Sequence, residues 1–570
     1  MHLSLRSLIS SLPLGVSILR FFGAEDSSQL PLEKVAIIRP QAISNDTQTQ
    51  VYALELGTGY AAPDGYSRKV ITVNGKLGAP LITAWKDYRI LASVHNSIYD
   101  KDLFQSTSIH WHGMNQHRSN AEDGVGWVTQ CPIVPGLSFN YDFSTGGQTG
   151  SYWYHSHVST QYCDGLRGPL VVYDPDDPWR KMYDVDNEST VITLEDWHHT
   201  PALADFDGKT IAPVPNSVLI NGKGRYVNES DPNYRKNNKL SVINVKYGYR
   251  YRFRIINMSC LLSYNIMIDG HPFFWVIEAD GVTTNYEPAD SLEIFAGQRY
   301  SIILETNKRV DNYWFRAVPS KPVVDQANST DPGLNNAIIR YEGAPDREPT
   351  TEPIIIRSPL QESSLSPHYD PGAEYCRNVL PEHNITLQIG LVRDISEINH
   401  WTLNNASFAP PPLPVLLQIL SGARRPEDLL PKGSVYVVPK NTAIRVNIPD
   451  THHIFDAHPF HLHGHDFDLI RPAGSYEAHY RSPPRRDVVG VSDGGPGGQA
   501  GPSGVSFCFK TDNPGPWILH CHIDWHFVQG LAVVFAEAPD DIVSGPDSVQ
   551  IPPELEDLCV AFNHSGLPPA

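Results

Sequence analysis

From about residue 50 to residue 560 the chain repeats one pattern. Four to eight residues with alternating or clustered apolar side chains are followed by a turn rich in glycine or proline. Arg68–Asn74 (RKVITVN) and Leu81–Trp85 have it, as do STVITL, NSVLING, KLSVINV, YRFRIIN and RYSIIL further on. Alternation with period two turns one face to a core and the other to solvent, and short runs bounded by turns predict strands. A helix is predicted only around Arg425–Leu430, after the proline-rich turn FAPPPLPVLL. The 48 Pro and 42 Gly suit the same all-β, turn-dense reading.

At 570 residues the chain exceeds what one core can organise. Gly168-Pro169 leads into LVVY and then Asp174-Pro175, which reads as a last strand and a linker. The proline-rich passage GAPDREPTTEPIIIRSPL marks a second boundary. The predicted divisions are 1–24 (a secretory signal), 25–48 (an extension) and three domains at 49–175, 176–343 and 344–570. The signal reading rests on Arg6 followed by an apolar run from Leu8 to Leu19, too short to span a membrane. Sequons at Asn45, Asn187, Asn228, Asn257, Asn328, Asn384, Asn405 and Asn563 suit a secreted, glycosylated chain, although Asn257 falls inside a predicted strand. A net charge of −19 argues against nucleic acid or an anionic membrane as partner, since both would repel it.

The chemistry lies in the histidines. With 24 His in the chain, random placement gives roughly one His-x-His pair. Five are present: His110/His112, His155/His157, His461/His463, His463/His465 and His520/His522. The last flanks Cys521, and His526 follows five residues beyond that cysteine. In an extended segment His520 and His522 share one face and Cys521 takes the other. One thiolate with imidazoles describes a soft, redox-active copper site, and the flanking histidines can serve a second metal one peptide link away. The middle domain carries no such pair and reads as scaffold; His198, His199 and His271 are taken as structural. Among seven cysteines, Cys131, Cys163, Cys260 and Cys559 are spaced as cross-domain staples would be, with connectivity open. Cys376 and Cys508 form a third bridge or remain free thiols.

Together, STSIHWHG, YHSHVSTQYCDGLRGPLVVYDP, VLINGKGR, PVLLQILSGA, HPFHLHGH and TDNPGPWILHCHIDWH resemble multicopper oxidases, most closely fungal laccases of the basidiomycete kind. The resemblance implies three consecutive cupredoxin-like Greek-key β-barrel or sandwich domains. It implies four coppers: type 1 on His458, Cys521 and His526, type 2 on His110 and His461, and a type 3 pair on His112, His155, His157, His463, His520 and His522. His465 would lie outside the ligand set, as would His117, His452 and His453. Leu531 falls at the type 1 axial position, where lacking a donor atom favours Cu(I) and a high potential. Asp123 and Asp524 are the implied proton-relay residues. Bridges Cys131–Cys559 and Cys163–Cys260 are implied too, in a secreted monomer that takes electrons from small aromatic reductants and passes them to O2. The sequence departs from the family at Leu261, where such laccases usually carry an acid that accepts a phenol's proton. An Fe(II) oxidase on this scaffold is the alternative; it would want carboxylates where Ala212 and Ala423 stand. A copper-binding electron carrier would need only the type 1 ligands.

Overall fold

The computed structural model describes residues 48–570 apart from 228–232, 322, 324–325, 327–328, 330, 370, 450–456, 493–501 and 569–570. The expected signal, most of the extension, the sequons Asn45, Asn228 and Asn328, and His452 and His453 lie outside the described residues.

Strands dominate, and apart from the two-stranded ribbon Ile389–Arg393/Asn399–Leu403 they form three successive pairs of packed sheets. In the first, Arg68–Val73, Thr49–Ala61, Arg89–Asn96 and Ser138–Ser144 make one four-stranded sheet. Ile82–Trp85, Arg167–Tyr173, Gly150–Ser156 and Ile109–His112 make the other. The middle pair is a seven-stranded and a five-stranded sheet between Val191 and Tyr341. The third contains the five-stranded sheet Val435–Val438, Ala532–Glu537, Gly515–Cys521, His458–Leu462 and Val488–Val491, facing a second five-stranded sheet that begins at Asn384–Thr386. Fold class is therefore all-β, in three cupredoxin-like domains.

The helix prediction needs correcting. Residues 425–430 hold only a 3₁₀ turn, Pro426–Asp428, because Pro426 and Pro431 frame a segment too short to propagate a helix. The nearest α-helix is Val415–Leu420, which begins inside the stretch read as a proline-rich turn. Its prolines all precede it, ending at Pro414 in the capping position, so they cost it nothing. Val415, Leu416, Leu417 and Ile419 are buried in the core shared with the first domain, and the amides of Val415 and Leu416 donate to the carbonyls of Trp127 and Val128.

The two largest apolar cores cross the domain boundaries. One joins the middle and third domains and reaches Trp153 and Tyr162 of the first. The other packs first-domain residues such as Trp111 and Tyr154 against Val415, Ile518 and the C-terminal helix Leu555–Ser565. Cys559 of that helix is bonded to Cys131, Cys163 to Cys260, and Cys376 to Cys508, which settles the pair left open. Asn257 is fully buried and spends its amide on the carbonyls of Leu262 and Ile294, leaving it unavailable to a glycan.

Candidate metal centres

Two strand pairs aim the histidines. In the first domain Ile109–His112 runs antiparallel to Gly150–Ser156, with His110 opposite His155. In the third, His458–Leu462 runs antiparallel to Gly515–Cys521, with His461 opposite His520 and Phe460 opposite Cys521. The two sheets face each other across the domain boundary, so eight imidazoles meet. His110 stacks on His463 at 3.9 Å between ring centroids, and His112 on His461 at 3.7 Å.

The ring nitrogens show what such a nest could hold. His110, His155, His461 and His520 each give their Nδ1–H to a backbone carbonyl: Asp123 at 2.8 Å, Ser156 at 2.8 Å, Asp487 at 2.9 Å and Cys521 at 3.0 Å. His463 Nδ1 gives its proton to Asp123 Oδ2 at 2.8 Å. Each Nε2 is thereby left with an inward lone pair. Nε2 of His110, His155 and His461 has no hydrogen-bond partner among the described residues. His463 Nε2 lies 3.1 Å and His157 Nε2 3.4 Å from His520 Nε2, while His522 Nε2 lies 3.2 Å from His112 Nδ1. Opposed lone pairs repel unless a cation sits among them, and burial holds His155, His157, His463 and His520 below the ordinary imidazole range, in their neutral ligand form. The residues fit a cluster of imidazole-loving metal ions.

The second centre lies on the other side of Cys521. Its Sγ is 3.6 Å from His458 Nδ1 and 3.7 Å from His526 Nδ1, and those nitrogens are 3.2 Å apart. Burial pushes the Cys521 thiol above its ordinary value, so a thiolate there needs an adjacent cation. Trp401 lies against both rings, at 4.4 Å from His526 and 5.2 Å from His458. Leu531 is fully buried, and its carbonyl accepts from the Cys521 amide at 3.1 Å.

Asp123 touches ligand candidates of two domains, with Oδ1 3.2 Å from His110 Nδ1 as well as Oδ2 on His463. Asp524 is buried: its amide donates to Cys260 O, and its carboxylate contacts Cys163 Sγ at 3.4 Å. Burial, then the neighbouring Asp196, raises its pKa well above the carboxylate range. The Leu261 side chain is buried, and its amide donates to Asp196 Oδ2 at 2.7 Å. Asp196 also takes the amides of Cys260 and Leu262. His465 is paired with Glu537 at 2.8 Å. Ala423 is buried in the core shared by the first and third domains, and Ala212 is packed at the margin of the other.

Sequence reasoning missed Asp487 and Trp401. Asp487 Oδ1 stands 3.3 Å from His112 Nε2 and 3.4 Å from His461 Nδ1, yet it lies 26 residues from His461 with no motif around it. Trp401 sits on Asn399–Leu403, far from every ligand in the chain.

Family models described as multicopper oxidase match residues 55–177, 188–344 and 408–541. A laccase of Pycnoporus cinnabarinus is 45% identical over 528 residues, covering 92% of this chain and 96% of that protein. Laccase-2 of Trametes versicolor is 45% identical over 518 residues, covering 90% and 94%. Among solved structures, the laccase of Botrytis aclada superposes with a TM-score of 0.78 at 30% identity, over 91% of this chain and 93% of that one. A multicopper oxidase that functions in iron import gives 0.76 at 26% identity, over 90% and 95%.

Proposed function

Because the chain belongs to the multicopper oxidase family and is a laccase-type oxidase working with four coppers, we propose how its residues divide the work. His458, Cys521 and His526 hold the type 1 ion. His110 and His461 hold type 2, and His112, His155, His157, His463, His520 and His522 hold the type 3 pair. Copper held by these residues would supply one-electron oxidation of the reductant at type 1 and four-electron reduction of O2 to water at the cluster. The observation that carries this division is the set of inward imidazole nitrogens whose outer Nδ1–H protons are tied to carbonyls or to Asp123.

Cys521 and its two neighbours provide the route between the centres, since thiolate and imidazoles share one backbone segment. Asp123 orients His110 and His463 and holds a proton-accepting oxygen against the cluster. Asp524, whose pKa burial raises well above the carboxylate range, stands beside the Cys163–Cys260 bridge as the second proton-relay group. Leu531 and Trp401, both fully buried, keep the surroundings of the Cys521 site apolar.

The substrates are small aromatic reductants, with non-phenolic donors favoured over phenols. Leu261 has no proton acceptor, and Asp196 beside it is occupied by three backbone amides. Iron oxidation is the weaker reading, because Ala423 is buried in a core and neither it nor Ala212 offers a carboxylate. Domain limits of 49–175, 176–343 and 344–570 are supported by strands that group into separate sheets on either side of them. No described helix is long and apolar enough to cross a membrane. Three disulfides support a secreted chain, and one chain supplying every ligand supports a monomer. Oxygen uptake measured in parallel with a phenol, a non-phenolic donor and Fe(II) tests the reading. Fe(II) outpacing both organic donors would overturn it.

A further inference from the structure

The middle domain, which contributes no ligand, nevertheless reaches the cluster. Between the strands Leu292–Ile294 and Arg299–Glu305 its chain turns through Ala296–Gln298 against the ligand histidines. A Cβ at Gly297 would lie within 3.0 Å of atoms of both His522 and His112. The next strand opens with Arg299, a fully buried guanidinium that bonds to all three domains. Its Nε donates to Ser151 O of the first at 2.9 Å, and its Nη1 to Gly297 O of its own at 3.1 Å. Both terminal nitrogens donate to Asp487 of the third, Nη1 to Oδ1 and Nη2 to Oδ2, each at 2.7 Å.

Asp487 is the carboxylate that stands against the stacked His112 and His461 rings. Its backbone carbonyl takes the His461 Nδ1–H, which fixes the tautomer that sends Nε2 inward. The forked pair leaves the carboxylate one orientation, with Oδ1 toward both rings. The ligand motif itself is shaped around the pair: a Cβ at Gly113, the residue after His112, would fall 2.4 Å from Arg299 Nη2 and 2.9 Å from Asp487 Oδ2. Gly113 has φ +88°, so the sharp turn and the missing side chain serve the same packing.

We propose that Arg299 is a positioning residue for the oxygen-reducing centre, a middle-domain cation that fixes Asp487 against His461 and His112. This rests on the ligand division proposed above. Arg299 acts through Asp487, so its loss falls on the type 2 site and leaves the Cys521 site alone. A lysine keeps the charge but loses the fork.

The test compares copper-loaded wild type with Arg299→Gln, Arg299→Lys and Asp487→Asn by copper content, the type 2 electron-spin signal and the blue absorption. Wild type must first show four coppers with both signatures; without them the ligand division fails, whatever the variants do. Given that, Arg299→Gln should change the type 2 signal and weaken retention of that copper against a chelator by about 10–100-fold, as loss of outer-shell partners does. The blue band should stay at wild-type intensity, with Arg299→Lys intermediate. Gln buries an unpaired carboxylate and could block folding. Asp487→Asn, nearly isosteric, should then give the same selective type 2 change, and the double variant should add little to it. An unaltered type 2 signal in either folded single variant overturns the proposal. Equal loss of both signatures does so too, because it would mark a general staple between domains.

Discussion

The two metal centres are built by opposite strategies. The Cys521 centre draws every ligand candidate from the third domain, with Cys521 and His526 five residues apart and His458 on the adjacent strand. The histidine cluster exists only where the first and third domains meet, and the middle domain's Arg299 presses Asp487 onto it. A site inside one domain needs only that domain's hydrogen-bond register. A site between domains also needs the shared cores, the disulfides and the buried ion pairs that fix domains against each other. Perturbations should therefore separate the two.

The largest separation should come from Cys521→Ser. An alcohol oxygen cannot supply the thiolate, so blue absorption and turnover should vanish while the cluster still loads. Retention of the blue band would break the assignment. Full loading should give about four coppers per chain in the wild type; one copper, or mainly zinc, by elemental analysis would remove the cluster from the comparison.

In the opposite direction, Asp123→Asn should spare the blue band and weaken the cluster by about 10–100-fold in copper retention, because it loosens His110 and His463 together. Changes confined to blue absorbance would invert the comparison. Next comes the bridge between the first domain and the C-terminal helix. Replacing both Cys131 and Cys559 by Ala opens a loop of 428 residues, with a loss on the order of 4 kcal/mol or more in the entropy model. Calorimetry should show a lower Tm, and on warming the cluster copper should leave before the blue band fades. Simultaneous loss would mean that domain docking does not limit the cluster.

The smallest effect concerns substrate choice. Leu261→Asp should raise kcat/KM for phenols by roughly tenfold, about 1–2 kcal/mol, with little change for non-phenolic donors. Because Leu261 is buried beside Asp196, the variant should also melt lower. Paired kinetics on one phenol and one non-phenol, from pH 3 to 7, decide this; equal effects on both would show that another group already takes the proton.

Much of this was legible in the chain. Strand periodicity announced the all-β fold, since a period of two follows from backbone geometry alone. His-x-His spacing around Cys521 announced two centres, because an extended segment must turn neighbouring side chains to opposite faces. The helix went unseen at Val415–Leu420: only burial against the first domain explains why a short apolar run beside four prolines coils. Asp487, Arg299 and Trp401 were invisible for a related reason. Each is ordinary in its local sequence and becomes significant through a partner tens to hundreds of residues away. Local pattern determines which face a side chain takes, and so the ligand inventory could be read from the sequence. Which faces meet depends on how whole domains pack, and that decided how the cluster is closed and which carboxylate stands against it.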